Sequence, residues 1–378
     1  MGDLWTTRVF RFFMALLTII LLLKIFGYYY PIRAREKFIG LQGQTNSLND
    51  TDLMDKKIQI HLLDSGNPAK GQTLMDKIRK ALKAAAEKSN SSFNQQFNRN
   101  HISNVIPTKL MYEPGHMLDE IDEDRICPYK GKDIKVLFLT NSALGNAEAR
   151  MAIRQTWGHY ASRIDIGHAF VLGQGTNETL NKAIDEENYL YGDLIRGNFI
   201  DSYKNITLKV ISLLEWAARH CSQAAYIFKT DDDVFINVPK LLEFLSTHSA
   251  KRTMYGRLAR NFKPIRNKLS KYYVTTDEYA EDVYPTFILG PAYLFTGDIL
   301  HELYEHSLNR PYLWLEDIVV TGVVPESLGI KREDSYCFAN LVTTYNPCVV
   351  NYHVSLHSIK PIQQYDIWNT MQNKTTKC

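Results

Sequence analysis

The ten residues from Tyr226 to Phe235 constrain the fold of this chain more than any others, because they run an apolar strand directly into Asp231, Asp232 and Asp233. Three acidic side chains in one turn repel one another. A hard divalent cation such as Mg²⁺ or Mn²⁺ relieves that repulsion while leaving coordination positions for substrate phosphates. In an open α/β sheet, ligands bind beyond the carboxyl ends of the strands, and the triplet falls there if Ala225 to Thr230 is a buried strand. The pattern points to a nucleotide-diphosphate site. A solvated acidic turn capping a helix opened by Pro239 and running to about Ser249 would also account for it, so the neighbouring blocks decide.

From Asp133 onward, strands and helices alternate. Ile134 to Thr140 reads as a buried strand, Ala147 to Trp157 as a helix and Ala169 to Leu172 as a second strand. Ile206 to Cys221 reads as a helix with Ile206, Val210, Leu213, Leu214 and Ala217 on one side, leading into the strand that ends at Asp231. This order implies an α/β fold with a mostly parallel sheet flanked by helices. Arg150 and Arg154, spaced i, i+4, can point the same way, and guanidinium groups suit diphosphate and uracil recognition.

The amino-terminal third has a different texture. Phe12 to Tyr30 is interrupted only by Lys24, which lies near enough to one end to snorkel, and this length spans a bilayer core. Gly27-Tyr28-Tyr29-Tyr30-Pro31 offers no small-x-small cleavage site, which favours an uncleaved anchor. Flanking charge does not orient it, since Arg8 and Arg11 precede it while Arg33, Arg35 and Lys37 follow. Glycosylation sequons at Asn49, Asn90, Asn177, Asn205 and Asn373 all lie downstream, as do Cys127, Cys221, Cys337, Cys348 and Cys378, which implies a lumenal body. An odd number of cysteines leaves at least one free or paired between chains. Residues 31 to about 120 suit a solvated stem, with one helical segment around Leu74, Ile78, Leu82 and Ala85 that serves as spacer or as a self-association helix for a homodimer. A net charge of only +3, from 44 basic and 41 acidic residues, gives no reason to expect nucleic-acid binding.

Several blocks then agree in order and spacing with one family. Lys-Thr-Asp-Asp-Asp-Val-Phe at 229–235 resembles the DxD motif of the β1,3-galactosyltransferase family, which includes the β1,3-N-acetylglucosaminyltransferases. Arg150 to Gly158 resembles that family's RxxIRxTWG block, Phe170-Val171-Leu172-Gly173 its FLLG strand, and Tyr191 to Ile195 with Phe199 to Lys209 its YGDIL and DFxDSYxNLTLK blocks. Tyr284-Pro285, Gly290-Pro291-Ala292-Tyr293, the block from Glu316 to Gly322, Leu328-Gly329-Ile330 and His357 complete a likeness covering roughly 130 to 370. The chain departs from it at Ile288 and at Val323-Val324, where relatives often carry Cys, and at Ala292, where they carry Gly.

The resemblance implies a single GT-A nucleotide-sugar-binding domain over 125–378, preceded by a cytoplasmic tail (1–11), a transmembrane signal anchor (12–30) and a stem (31–124). It implies a type II Golgi membrane enzyme that moves galactose from UDP-galactose, with Mn²⁺, to the 3-hydroxyl of a glycan acceptor. Asp233 would be the direct metal ligand, Asp231 would hold the ribose or metal-bound water, Asp232 would support the site and His357 would complete coordination. Asp317 would be the general base and Glu316 an acceptor contact. Arg150, Arg154, Asp201 and Lys209 would face the nucleotide, and Gly290 would let backbone approach the donor sugar. Taken alone, Glu316-Asp317 reads as a helix cap and His357 as an ordinary hydrogen-bonded residue. The alternatives carried forward are UDP-N-acetylglucosamine as donor and a non-catalytic lumenal sugar-binding protein of the same fold.

Overall fold

The computed structural model describes residues 106–118, 121–339 and 346–373. The expected membrane anchor, the stem helix and the sequons at Asn49 and Asn90 lie outside them, and no helix among the described residues is long and apolar enough to cross a membrane.

Strand β1, Val136–Asn141, is buried at every position, as a run of Val, Leu and Phe requires in a strand covered on both faces. Parallel to it lie β2 (Ile166–Gln174), β3 (Leu194–Ile200) and β4 (Tyr226–Asp231), in the spatial order β3-β2-β1-β4. Asn141 pairs with Asp231, so β1 and β4 end together. Beyond β4 come β7 (Phe287–Thr296) and β6 (Thr253–Ala259), each antiparallel to its neighbour, and then β8 (Lys331–Asp334), parallel to β6. The sheet is mostly parallel, as expected, with β7 alone running against the other strands, and an irregular excursion rather than a crossover helix joins β6 to β7. A smaller sheet in the order β5-β10-β9 joins β5 (Val234–Ile236), β10 (Ser355–His357) and β9 (Phe338–Ala339).

Alternation along the strands feeds two cores. On one face Leu137, Leu139, Ile195, Ile227 and Phe295 pack with Val210, Leu213 and Leu214 of α3 (Ile206–His220) and Leu300 and Leu303 of α5 (Leu300–Leu308). On the other, Val136, Phe138, Phe170 and Phe228 pack with Ile153 of α1 (Ala147–Gln155), Ile184 of α2 (Glu178–Tyr191), Leu241 of α4 (Val238–Thr247) and Ile367 of α7 (Pro361–Gln372). The one-turn α6 (Val324–Leu328) adds Val324 to the first face. Helix α2 closes on Gly192 in the left-handed conformation, with φ of 60°.

Cys127 and Cys221 form a disulfide across 94 residues, Cys348 is also bridged, and Cys337 is a free, partly buried thiol. That accounts for the odd cysteine. Replacing Cys127 and Cys221 together with alanine should lower unfolding free energy by about 2–5 kcal/mol, the range for a bridge closing a long loop, read by chemical denaturation.

Candidate functional site

The three consecutive carboxylates that follow Thr230 go three ways. Asp231 Oδ1 lies 2.8 Å from Lys229 Nζ. Asp232 accepts from Ser142 Oγ at 2.7 Å and Asn146 Nδ2 at 3.0 Å; burial raises its pKa, with those two hydrogen bonds opposing. Asp233 is half exposed and meets His357 Nε2 at 3.3 Å. Backbone pairing fixes that approach, since Val234 pairs with His357 across β5 and β10 and the Ile359 N–H donates to the Asp233 carbonyl at 2.8 Å. The nearby His353 turns to the Val349 carbonyl.

Lys229 is the hub behind the triplet. It is fully buried on β4 opposite Tyr293, and its Nζ reaches Asp231 Oδ1 at 2.8 Å, Glu316 Oε1 at 2.9 Å and the Gly290 carbonyl at 2.7 Å. Burial works to lower the ammonium's pKa, but Asp231 and Glu316 outweigh it and hold it above its ordinary value, so it stays charged. Tyr293 Oη donates to Glu316 Oε2 at 3.2 Å. Burial pushes Glu316 up to about 7 against the pull of Lys229.

Asp317 follows at the start of a π-helical turn, Ile318–Val323, and stays partly exposed. The capping role is real: Asp317 Oδ1 accepts from the Ile318 N–H at 2.9 Å. Capping does not exhaust the carboxylate, because burial pushes it up to about 6 although the Ile318 N–H, Lys229 and the Gly290 N–H all favour ionisation. Thr321 Oγ1 pins the turn to β7, donating to the Ile288 carbonyl at 2.9 Å and accepting from its N–H at 2.8 Å. Ile288 and Val324, two of the positions where relatives often have Cys, are fully buried, so apolar packing stands there. Gly290 makes room for neighbouring carboxylates. A Cβ at 290 would sit 3.2 Å from Glu316 Oε1 and 3.5 Å from Asp317 Oδ2, so the glycine lets this carboxylate pair close on β7. A base that works only when deprotonated predicts that kcat/KM falls about tenfold per pH unit below about pH 6 and levels off above it, measurable from a pH–rate profile.

Several of the other expected site residues are engaged within the chain. Arg150 and Arg154 do share a direction, but it is toward α2 and the loop after β1. Arg150 is fully buried and binds Glu187 Oε1 at 2.8 Å, the Ala143 carbonyl at 2.6 Å and Ser142 Oγ at 3.0 Å. Arg154 pairs with Asp193 at 2.8 Å and Glu187 at 2.8 Å and lies over the Tyr191 ring. Both are engaged by carboxylates: Arg150 braces the Ser142 loop, and Arg154 ties α1 to Glu187 of α2 and to Asp193. Lys209 is likewise internal, with Nζ 2.9 Å from Asp201 Oδ1 and 2.6 Å from the Ser142 carbonyl, while Asp201 Oδ2 accepts from the Gly173 N–H at 2.8 Å. This pair ties together the ends of β1, β2 and β3. Trp314 is 2% exposed, covered by Tyr203 and Lys204. Of the sequons, exposed Asn177 caps α2 and Asn373 is exposed at the end of α7, while Asn205 Nδ2 donates to the Ile200 carbonyl and its Thr207 is buried.

Sequence reasoning missed Lys229, Tyr293, Ser142, Asn146 and Asn141. The signal for Lys229 was available: a lysine in the middle of a buried strand, two residues before a carboxylate, must carry its counter-ions inside. Asn141 was the polar residue closing an apolar strand. It is 5% exposed, sits opposite Asp231 at the carboxyl edge, and neither its Oδ1 nor its Nδ2 has a hydrogen-bond partner among the described residues. Such an orphaned amide at a strand end fits a ligand-facing role.

The galactosyltransferase family model matches residues 148–336. Human β1,3-galactosyltransferase 5 is 38% identical over 244 residues, covering 63% of this chain and 78% of that protein. Mouse β1,3-galactosyltransferase 1 is 36% identical over 231 residues, covering 60% and 71%. Among solved structures, a glycosyltransferase involved in glycosylation of the major capsid of PBCV-1 aligns with 14% identity and a TM-score of 0.34 over 62% of this chain and 98% of that one. Mouse xyloside xylosyltransferase 1 in its apo form gives 14%, a TM-score of 0.27, and coverage of 59% and 97%. Those scores are too low to bear on function. The sequence matches suffice, and with the carboxylate edge described above they make this chain a member of the β1,3-galactosyltransferase family and a hexosyltransferase.

Proposed function

We propose that this hexosyltransferase has a GT-A fold and moves galactose from UDP-galactose to the 3-hydroxyl of an acceptor sugar with inversion. The observation that carries the reading is the pairing of a raised, partly exposed Asp317 with the Asp231–Asp233 edge through buried Lys229. Asp317 takes the proton of the acceptor 3-hydroxyl as its oxygen attacks the anomeric carbon; the bond to UDP breaks with its electron pair, and Asp317 returns the proton to solvent. Asn141 and the Ser142 loop bind the nucleotide, and Glu316, held by Lys229 and Tyr293, orients the acceptor.

Asp233 and His357 suit a divalent cation such as Mn²⁺, since a carboxylate and an imidazole nitrogen converge within 3.3 Å on an accessible edge. Among the described residues no three His, Cys, Asp or Glu side chains gather around one point, so phosphate oxygens and water would fill the remaining positions. When bound, such an ion supplies Lewis-acid stabilisation of the leaving diphosphate. Asp231, turned to Lys229, takes the ribose-facing role. The Cys127–Cys221 disulfide supports an oxidising compartment, consistent with a type II Golgi membrane enzyme anchored by residues 12–30.

The test is incubation of the detergent-solubilised full chain with labelled UDP-galactose and UDP-N-acetylglucosamine over a panel of neutral glycan acceptors. Galactose transfer supports the proposal, preferential N-acetylglucosamine transfer would replace the donor, and absence of transfer from either would favour a sugar-binding protein. Asp233→Ala should weaken Mn²⁺-dependent UDP binding by about tenfold or more while leaving the thermal midpoint within a few degrees, because the half-exposed carboxylate contributes little to the core.

A further inference from the structure

The excursion between β6 and β7 carries five basic residues and no acidic one between Arg260 and Tyr273. Two of the five are used internally: Arg260 pairs with Asp334 at 2.9 Å, and Arg266 donates to the carbonyls of Val274, Thr275 and Tyr279. Lys263, Lys268 and Lys271 are exposed. The acidic segment that follows does not neutralise them through Glu278, which folds back on the N–H and hydroxyl of Thr275, both at 2.8 Å.

Lys271 sits in an aromatic cluster. Its Nζ lies 4.6 Å from the Tyr272 ring centroid and 5.9 Å from that of Tyr203. The Tyr203 ring is 5.6 Å from Trp314, and Lys204 Nζ lies 3.7 Å over that indole. Tyr203 is 52% and Tyr272 40% exposed, so together they make an open aromatic shelf with an ammonium at each end. Trp314 stands three residues before Asp317 in the chain. The Tyr203 hydroxyl is raised by burial and by Tyr272, and the charges of Asp317 and Asp231 add to the shift. Trp314 Nε1, a buried donor in the cluster, has no hydrogen-bond partner among the described residues.

Two ammonium groups held against one aromatic cluster, with no carboxylate bonded to either among the described residues, leave a place for an anion. Aromatic faces stack on the C–H faces of sugar rings, and the cations answer a charged substituent. We propose that this shelf binds an anionic acceptor saccharide, its ring on Tyr203 and Tyr272 and its sulfate or carboxylate group answered by Lys204 or Lys271 at the ends. The inference rests on the reading of Asp317 as base, since it is the base that makes this side of the site the acceptor side.

The test compares kcat/KM of the full chain for a neutral oligosaccharide acceptor, its sulfated counterpart and its sialylated counterpart, at about 50 mM and about 500 mM salt. The expected result is a preference of about fivefold or more for at least one anionic form, reduced at high salt. Lys204→Gln with Lys271→Gln should cut that preference to about twofold or less through KM, with a larger loss on the anionic acceptor than on the neutral one. The sulfated and sialylated arms tell the two anions apart. Equal use of neutral and anionic acceptors by the wild type, or an undiminished preference in the double variant, would overturn the inference while leaving glycosyl transfer intact. Binding of the wild type to anionic lipid vesicles that the double variant loses, with acceptor preference unchanged, would assign the lysines to a membrane surface and also overturn it. No transfer to any acceptor would overturn the glycosyl-transfer reading and this inference with it.

Discussion

Asp317→Asn should lower turnover by about 10²-fold or more with UDP-sugar affinity little changed, the range for loss of a positioned general base. The substitution separates chemistry from architecture. Asparagine keeps an oxygen for the Ile318 N–H, so the cap on the π-helical turn survives, and Thr321 still pins that turn to β7. What disappears is the basic carboxylate. Turnover near that of the wild type would leave Asp317 as a cap alone and send the search to Glu316, whose carboxyl is also raised, to about 7, but is already engaged by Lys229 and Tyr293.

Lys229→Met should destabilise the fold by about 3–5 kcal/mol, because removing one partner of a buried ion cluster leaves an uncompensated charge inside. Here two carboxylates lose their counter-ion at once, Glu316 fully and Asp231 in part, since Asp231 remains 28% exposed on its side chain. Denaturant unfolding reads the loss. Adding Glu316→Gln removes the stranded charge and should recover a large share of that stability without recovering transfer, because Asp231 and the acceptor side would still lack the ammonium that spans them. A Lys229→Met variant as stable as the wild type would show that water reaches the cluster and that the lysine is dispensable for the fold.

The positions of the chemistry were legible in the sequence where periodicity and punctuation met. An apolar strand ending in Asp231, a helix with Val210, Leu213 and Leu214 on one side, and a helical turn capped by Asp317 were each legible, because local pattern fixes which element a residue stands on. Pattern does not fix what a polar side chain meets. Arg150 and Arg154 share a face, as their spacing required, but Glu187 and Asp193 come from elements far along the chain, and only the packing of α2 against α1 shows that these acids take the guanidinium groups. Gly290 was marked as a close-approach position, and the approaching group proved to be Glu316 from the same chain. Lys229 was hidden inside the most conspicuous motif, read for its aspartates while its own burial went unconsidered.

One measurement decides whether Asp317 and the Asp233 edge serve the same reaction: proton NMR of the product formed by the full chain from UDP-galactose, Mn²⁺ and a neutral glycan acceptor. Attack from the face opposite UDP, with Asp317 drawing off the proton, predicts a β-linked galactose on the 3-hydroxyl, formed by the wild type and barely detectable with Asp317→Asn. An α-linked product, or galactose released to water with no linkage to the acceptor, would contradict the mechanism outright.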